Sequence, residues 1–150
     1  MSSYELMIGK LIMYIVDKIK ETLHTQGMSH TPAVDLEKLN SSLDFNLDDD
    51  IRLLLSEIGF VKRPNGFNIY GYDSVPEEGD IFSQYIKYKD SKRFYPSNSL
   101  PILKMTSSRL MVYDCTARRC MLIDIGDEGE ILHTFDGGLL EITLEVLKQG

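Results

Sequence analysis

Apolar residues recur at three- and four-residue spacing through the start of the chain, at Tyr4, Met7, Ile8, Leu11, Ile12, Ile15, Val16, Ile19 and Leu23. An α-helix turns every 3.6 residues, so this spacing predicts a helix over residues 3–26, packed along one side. Gly27 is its stop. Thr31 is placed to cap a second, short helix over 32–40, with Pro32 in the first position, where a missing N–H costs nothing. A third helix is expected over 48–58. Asp48, Asp49 and Asp50 stand at its start, where the helix dipole favours negative charge, and Gly59 ends it. Lys62-Arg63-Pro64-Asn65-Gly66 is turn chemistry. Residues 67–72 alternate in the manner of a strand, and 76–80 read as a loop. Ile81, Phe82, Tyr85, Ile86 and Tyr88 predict a fourth helix over 81–89, followed by an irregular stretch at 94–99.

From Leu100 the period changes. Residues 100–105, 109–115, 121–125 and 131–135 are short apolar runs separated by turns such as Thr106-Ser107-Ser108 and Gly126-Asp127-Glu128-Gly129. That is the signature of an antiparallel meander. Gly137-Gly138 breaks it, and 139–147 can close the chain as a helix. The pattern shows no repeat, low-complexity tract or linker. The expected fold is one α+β domain over 1–150, with N-terminal helices, a meander sheet and a C-terminal helix. At 150 residues such a domain buries about two-thirds of its unfolded surface and needs no metal or disulfide to fold.

Charge narrows the partners. The chain carries a formal −7, with a sequence pI near 4.9, and the surplus acid is spread over both halves. Such a surface repels nucleic acid, whose affinity for proteins comes largely from Lys and Arg on phosphates. It suits a basic partner, or simply keeps the protein dispersed. Residues 6–16 are apolar, yet too short to span a bilayer and interrupted by Lys10. With Glu5 before them and no small-residue cleavage site, they do not read as a signal peptide. They are expected to be a buried helix of a cytoplasmic protein. Cys115 and Cys120 flank the turn Thr116-Ala117-Arg118-Arg119 and could face each other across a hairpin. Reduced thiols are the expectation for a cytoplasmic chain.

Catalytic signatures are sparse. His24, His30 and His133 have no metal-site spacing, no HExxH occurs, and no G-x-S-x-G marks a nucleophile elbow. The glycine pairs lack the lysine and hydroxyl of a P-loop. Asp48-Asp49-Asp50 read as a helix start, because consecutive helical residues point about 100° apart and do not converge on one ion. A small hydrolase built on Cys115 and His133 is a minor reading. Lys87, Lys89, Lys92 and Arg93, interleaved with Tyr85, Tyr88, Phe94 and Tyr95, resemble a single-strand nucleic-acid footprint. Against the global charge they read better as a solvated face whose aromatics enter the core. No cofactor, metal or membrane is expected.

The order of segments is familiar. Leu47 with the acidic helix at 48–58, Asn65-Gly66, and Ile69-Tyr70-Gly71 are followed by Leu100-Pro101-Ile102, Tyr113-Asp114, residues 121–124, and 135–147. In this the chain resembles the SUKH superfamily, an α+β family rich in bacterial immunity proteins that neutralise polymorphic toxins. The resemblance covers residues 34–147. It departs at Asp48, where the family commonly has proline, at Thr106-Ser107-Ser108, where it often has glycines, and in the absence of tryptophan. The resemblance implies a non-enzymatic protein that binds and blocks a cognate toxin domain, such as a basic nuclease or deaminase. The alternative is an adaptor or regulatory domain of the same fold that binds an endogenous cellular protein. Either needs acidic and aromatic surface groups. The candidates are Tyr70, Tyr72, Glu77, Glu78 and Asp80 near one strand end, and Asp127, Glu128 and Glu130 on a hairpin loop. Oligomeric state is left open.

Overall fold

The computed structural model describes residues 2–64, 67–91, 94–126 and 129–149. Asn65 and Gly66 of the expected turn, Lys92 and Arg93 of the basic cluster, and Asp127 and Glu128 of the candidate hairpin loop lie outside the described residues.

Helix α1 spans Ser3–Thr25 and is capped by Ser2, whose Oγ accepts the Glu5 N–H at 3.1 Å. Its C-terminal half is anchored as the spacing predicts, with Val16, Ile19 and Leu23 fully buried. The N-terminal half is not. Leu6, Met7, Leu11, Met13 and Tyr14 stand in solvent, which corrects the expectation of a buried segment at 6–16. Ile8, Ile12 and Ile15, on the side of the helix that faces the body, are half-buried, whereas the exposed residues lie on its other sides.

The second helix is displaced from its expected position. Helix α2 covers Glu37–Ser42, with the Glu37 N–H donated to Asp35 Oδ1 at 2.9 Å. Thr31 does not cap it, because its backbone is engaged elsewhere. Thr31 and Phe60 exchange two N–H···O bonds of 2.8 and 2.9 Å, holding the chain before Pro32 extended. Helix α3, Asp49–Leu53, starts where predicted, with the Ile51 N–H on Asp48 Oδ1 at 3.0 Å. It widens into a π-helical turn, Leu54–Ile58, closed by the Gly59 N–H on Leu54 O at 2.9 Å. This turn buries Leu54, Leu55 and Ile58 together.

Residues 67–72 do not form a regular strand. They lie extended beside the sheet through single bridges, Val61 to Ile69, Ile69 to Leu103 and Gly71 to Asp80. Gly71 has no room for a side chain, since a Cβ there would sit 2.5 Å from the Phe60 nitrogen. A 3₁₀ turn at Glu77–Gly79 leads into helix α4, Ile81–Lys89.

The meander is observed as read. Strands β1 (Ser99–Lys104), β2 (Arg109–Asp114), β3 (Arg119–Asp124) and β4 (Glu130–Thr134) form an antiparallel sheet in the order β1-β2-β3-β4. Helix α5, Leu139–Gln149, closes the fold. Helix α4 packs on β1, and α5 on β3 and α1. Successive strand residues point to opposite faces. Leu110, Met111, Val112 and Tyr113 are all fully buried, so both faces of β2 are covered. The buried apolar residues form one cluster running from Val16 to Leu147, which makes the chain a single α+β body. Among the described residues no helix is long and apolar enough to cross a membrane.

Register settles the cysteines. Tyr113 pairs with Cys120 and Asp114 with Arg119, so Cys115 falls beyond the ladder and does not face Cys120. Its N–H goes instead to Asn98 O at 2.9 Å, and both thiols are free and buried.

Candidate partner-binding surface

The segment 70–80 carries most of the candidate residues. Tyr70 and Tyr72 are core residues, only 4% and 8% exposed, so neither is available as a protruding aromatic anchor. Tyr70 lies beside Tyr88, and burial pushes its hydroxyl far above the usual tyrosine value. Tyr72 sits at the rim of the body. Its pKa is raised by desolvation first, then by the negative charges of Asp80, Asp73 and Asp35. The charges of these three carboxylates thus act on one side chain although they span 45 positions of sequence from Asp35 to Asp80.

Asp80 is the lock of this region. Its Oδ2 accepts the Ser83 N–H at 2.9 Å and the Ser83 hydroxyl at 3.1 Å, capping α4. Its Oδ1 accepts the Asp73 N–H at 3.1 Å. Asp80 is thus partly withdrawn into the fold, with both carboxylate oxygens occupied. Asp73 and Ser74 follow one another in left-handed backbone, at φ 57° and 53°. Two such residues in a row are strained for L-amino acids and persist only where contacts hold them. Asp80 supplies that contact, and Asp73 Oδ1 adds another by accepting the Ser74 N–H at 3.1 Å. The result is a bent loop, tied by these two hydrogen bonds, that presents Asp73, followed by the exposed Glu77 and Glu78 of the 3₁₀ turn. Among the described residues, none of Asp35, Asp73, Glu77, Glu78 or Asp80 takes part in an ion pair.

Sequence reading missed Asp35 and Asp73. The Asp73-Ser74 pair is itself a turn signal and could have flagged Asp73. Asp35 had no local signal. Glu130 is exposed at the start of β4, paired with Asp124. It does not join the others. Segment 69–71 lies outside β1, whereas β4 is the opposite edge, three strand spacings or about 14 Å beyond β1.

The aspartate run belongs to a separate structural knot. The Tyr113 hydroxyl donates to Asp48 Oδ2 at 2.5 Å. Arg118 Nε approaches the same oxygen at 3.4 Å, and its Nη2 lies 4.0 Å from Asp50 Oδ1. Asp50 is raised by burial and by the neighbouring Asp48 charge. These contacts fasten the β2–β3 hairpin to the start of α3. Among the described residues no group of three or more His, Cys, Asp or Glu side chains is arranged to hold a metal ion.

The remaining sequence candidates separate in space or lose their chemistry. Cys115 is pushed up to about 12 by burial, with Asp48 and Asp114 adding to the effect, and Cys120 likewise up to about 12. His133 is exposed on β4 and meets Phe135 edge-on, ring centroids 4.7 Å apart. A buried thiol of this kind is a poor nucleophile at neutral pH. At pH 8, Ellman's reagent should therefore label native Cys115 and Cys120 at least about 1,000-fold more slowly than a free thiol of pKa about 8.5. Rapid labelling of the folded protein at pH 8 would contradict the packing described.

The basic–aromatic cluster forms a small cleft of about 200 Å³, lined by Lys87, Tyr88, Ser91, Phe94, Tyr95 and Lys104, with Ile125 at one wall. Tyr85 and Tyr88 are buried, and the Tyr95 hydroxyl donates to Ser99 O at 2.7 Å. Only Phe94 among the four aromatics offers an open face, so there is no row of rings on which successive bases could stack. Comparison of the chain with models of known families, with curated proteins and with solved structures finds no match.

Proposed function

We propose that this protein binds a basic protein partner through the acidic rim formed by Asp35, Asp73, Glu77, Glu78 and Asp80 around Tyr72. The observation that carries the reading is that the charges of Asp80, Asp73 and Asp35 all act on Tyr72, with the exposed Glu77 and Glu78 on the same loop, and that none of the five is paired to a cation among the described residues. An unpaired acidic rim needs no ion pair broken before it meets a cationic surface. The surplus charge of the whole chain, −7, accelerates the encounter in the same sense. The loop is held by Asp80, so little ordering entropy is lost on binding.

The resemblance to the SUKH superfamily gives the partner its identity in this proposal. The partner is a toxin domain with a cationic, nucleic-acid-handling surface, met in the cytoplasm and blocked by occlusion rather than by chemistry. Glu130, on the other edge of the sheet, would serve a second contact area.

The test is co-purification with tagged full-length protein from its source cells, at low and then high salt. The comparison variant combines Asp73→Asn, Glu77→Lys and Glu78→Lys. Asparagine tolerates the left-handed backbone at 73, so folding is preserved. The wild type should retain a basic polypeptide that salt releases, and the variant should retain it at least about tenfold less well. Equal retention by the variant sinks the acidic-rim reading. Retention of an endogenous household protein in place of a toxin-like one moves the partner identity to the adaptor alternative.

A further inference from the structure

The exposed half of α1 is the feature that the acidic rim leaves unexplained. Tyr4, Met7, Leu11 and Tyr14 are 67%, 57%, 54% and 58% exposed, and Leu6 and Met13 flank them at 51% and 38%. Isolated helices of about a dozen residues are marginal in water, and a helix that is apolar nearly all round is normally buried. Positions 4, 7, 11 and 14 follow the 3–4–3 spacing of a coiled-coil seam, on a stripe turned away from Val16, Ile19 and Leu23. We propose that a second copy of this chain covers this stripe, in an antiparallel two-helix pairing that makes the protein a weak homodimer.

Three observations favour a second copy. The stripe matches itself: run antiparallel, Tyr4 of one copy lies level with Tyr14 of the other, and Met7 with Leu11, so every layer is apolar on both sides. Charge is kept off it as well. Within residues 3–14 only Glu5 and Lys10 are charged, and they cancel, although the chain as a whole is −7. A basic partner therefore finds nothing here to recognise. A membrane surface is disfavoured because interfacial helices carry several basic residues on their polar face, and an acidic chain is repelled by anionic lipid.

The same charge selects the direction. Parallel pairing would set two bodies of −7 side by side at the C-terminal ends of α1, whereas antiparallel pairing puts them at opposite ends. The four side chains present roughly 350 Å² per copy, before Leu6 and Met13 are counted. Even with Leu6 and Met13 added on both copies, that is the size of a weak, transient interface, so association no tighter than the micromolar range is expected.

Sedimentation velocity of the purified full-length chain, from low micromolar to several hundred micromolar, reads this directly. The mass should double with concentration, and the variant Met7→Glu with Leu11→Glu should stay monomeric with an unchanged far-UV spectrum and melting temperature. Single-cysteine variants guard against a folding failure. Met7→Cys mixed with Leu11→Cys should form a disulfide-linked pair faster than either variant alone. Native Cys115 and Cys120 are buried and should not interfere. A wild type that remains monomeric throughout, a double-glutamate variant that still dimerises, or cross-linking fastest within Met7→Cys alone would each overturn the proposal. The acidic rim is untouched in these variants, so failure here leaves the partner-binding reading standing.

Discussion

Replacing Gly59 by alanine will destabilise the fold by roughly 4 kcal/mol or more, lowering the melting temperature by roughly 8–16 °C. Gly59 sits at φ 69° and ψ −139°, a region that residues with a Cβ scarcely enter. An added Cβ would also fall 2.1 Å from the Thr31 carbonyl oxygen and 2.8 Å from Pro32 Cα. Both obstacles are backbone, so a side-chain rotation cannot relieve them. The chain has to move, and the motion pulls apart the Thr31–Phe60 pair that turns the end of the π-helical turn into the sheet side of the molecule. Thermal unfolding followed by circular dichroism measures the loss. A drop under about 1 kcal/mol would show that the segment around Thr31 gives way cheaply.

The second large effect concerns Asp48. Asp48→Ala removes the cap on Ile51, worth about 1 kcal/mol. It also removes the acceptor of the buried Tyr113 hydroxyl proton, at a cost of about 1–3 kcal/mol. The Arg118 contact adds little, since Arg118 is largely exposed. We expect a total of about 2–4 kcal/mol. Tyr113→Phe alone should cost less, because it leaves no buried hydroxyl behind. Combined with Asp48→Ala it should cost clearly less than the sum of the two, a coupling that a double-mutant cycle in urea detects. Additive losses would mean that Tyr113 and Asp48 do not share the bond. Asp48→Asn should recover most of the cap, because asparagine caps about as well as aspartate.

The two residues also show why some of the architecture was readable in the chain and some was not. Asp48 announces itself as a helix start by its position before an apolar 3–4 pattern, and Gly59 as a stop, because both signals are local. That Asp48 also receives a tyrosine 65 positions away cannot be read from either neighbourhood. The candidate site divides in the same way. Glu77, Glu78 and Asp80 were visible as a run of acid near turn residues. Asp35 was invisible, because its loop is placed by the Thr31–Phe60 pairing and the Ala33 N–H on Leu55 O, both contacts with distant residues. Tyr70 and Tyr72 looked like surface anchors on an alternating segment, yet the pairing of Ile69 with Leu103 and the packing of Tyr70 beside Tyr88 draw them into the core.

The chain by itself determined the elements whose signals lie within a few residues. These are the long first helix, α4, the four-strand meander and α5, where side-chain period and turn residues agree. Tertiary structure decided what depends on a distant neighbour. It held Thr31 in a bridge to Phe60 and so moved α2 toward the C-terminus. It reduced the expected strand at 67–72 to single bridges. It covered the side of α1 that carries Val16, Ile19 and Leu23 and left the stripe at Tyr4, Met7, Leu11 and Tyr14 in water, although both are apolar. The physical reason is common to all three. Period and propensity state which face of a segment seeks burial, but only the packed arrangement states whether a partner is there to bury it.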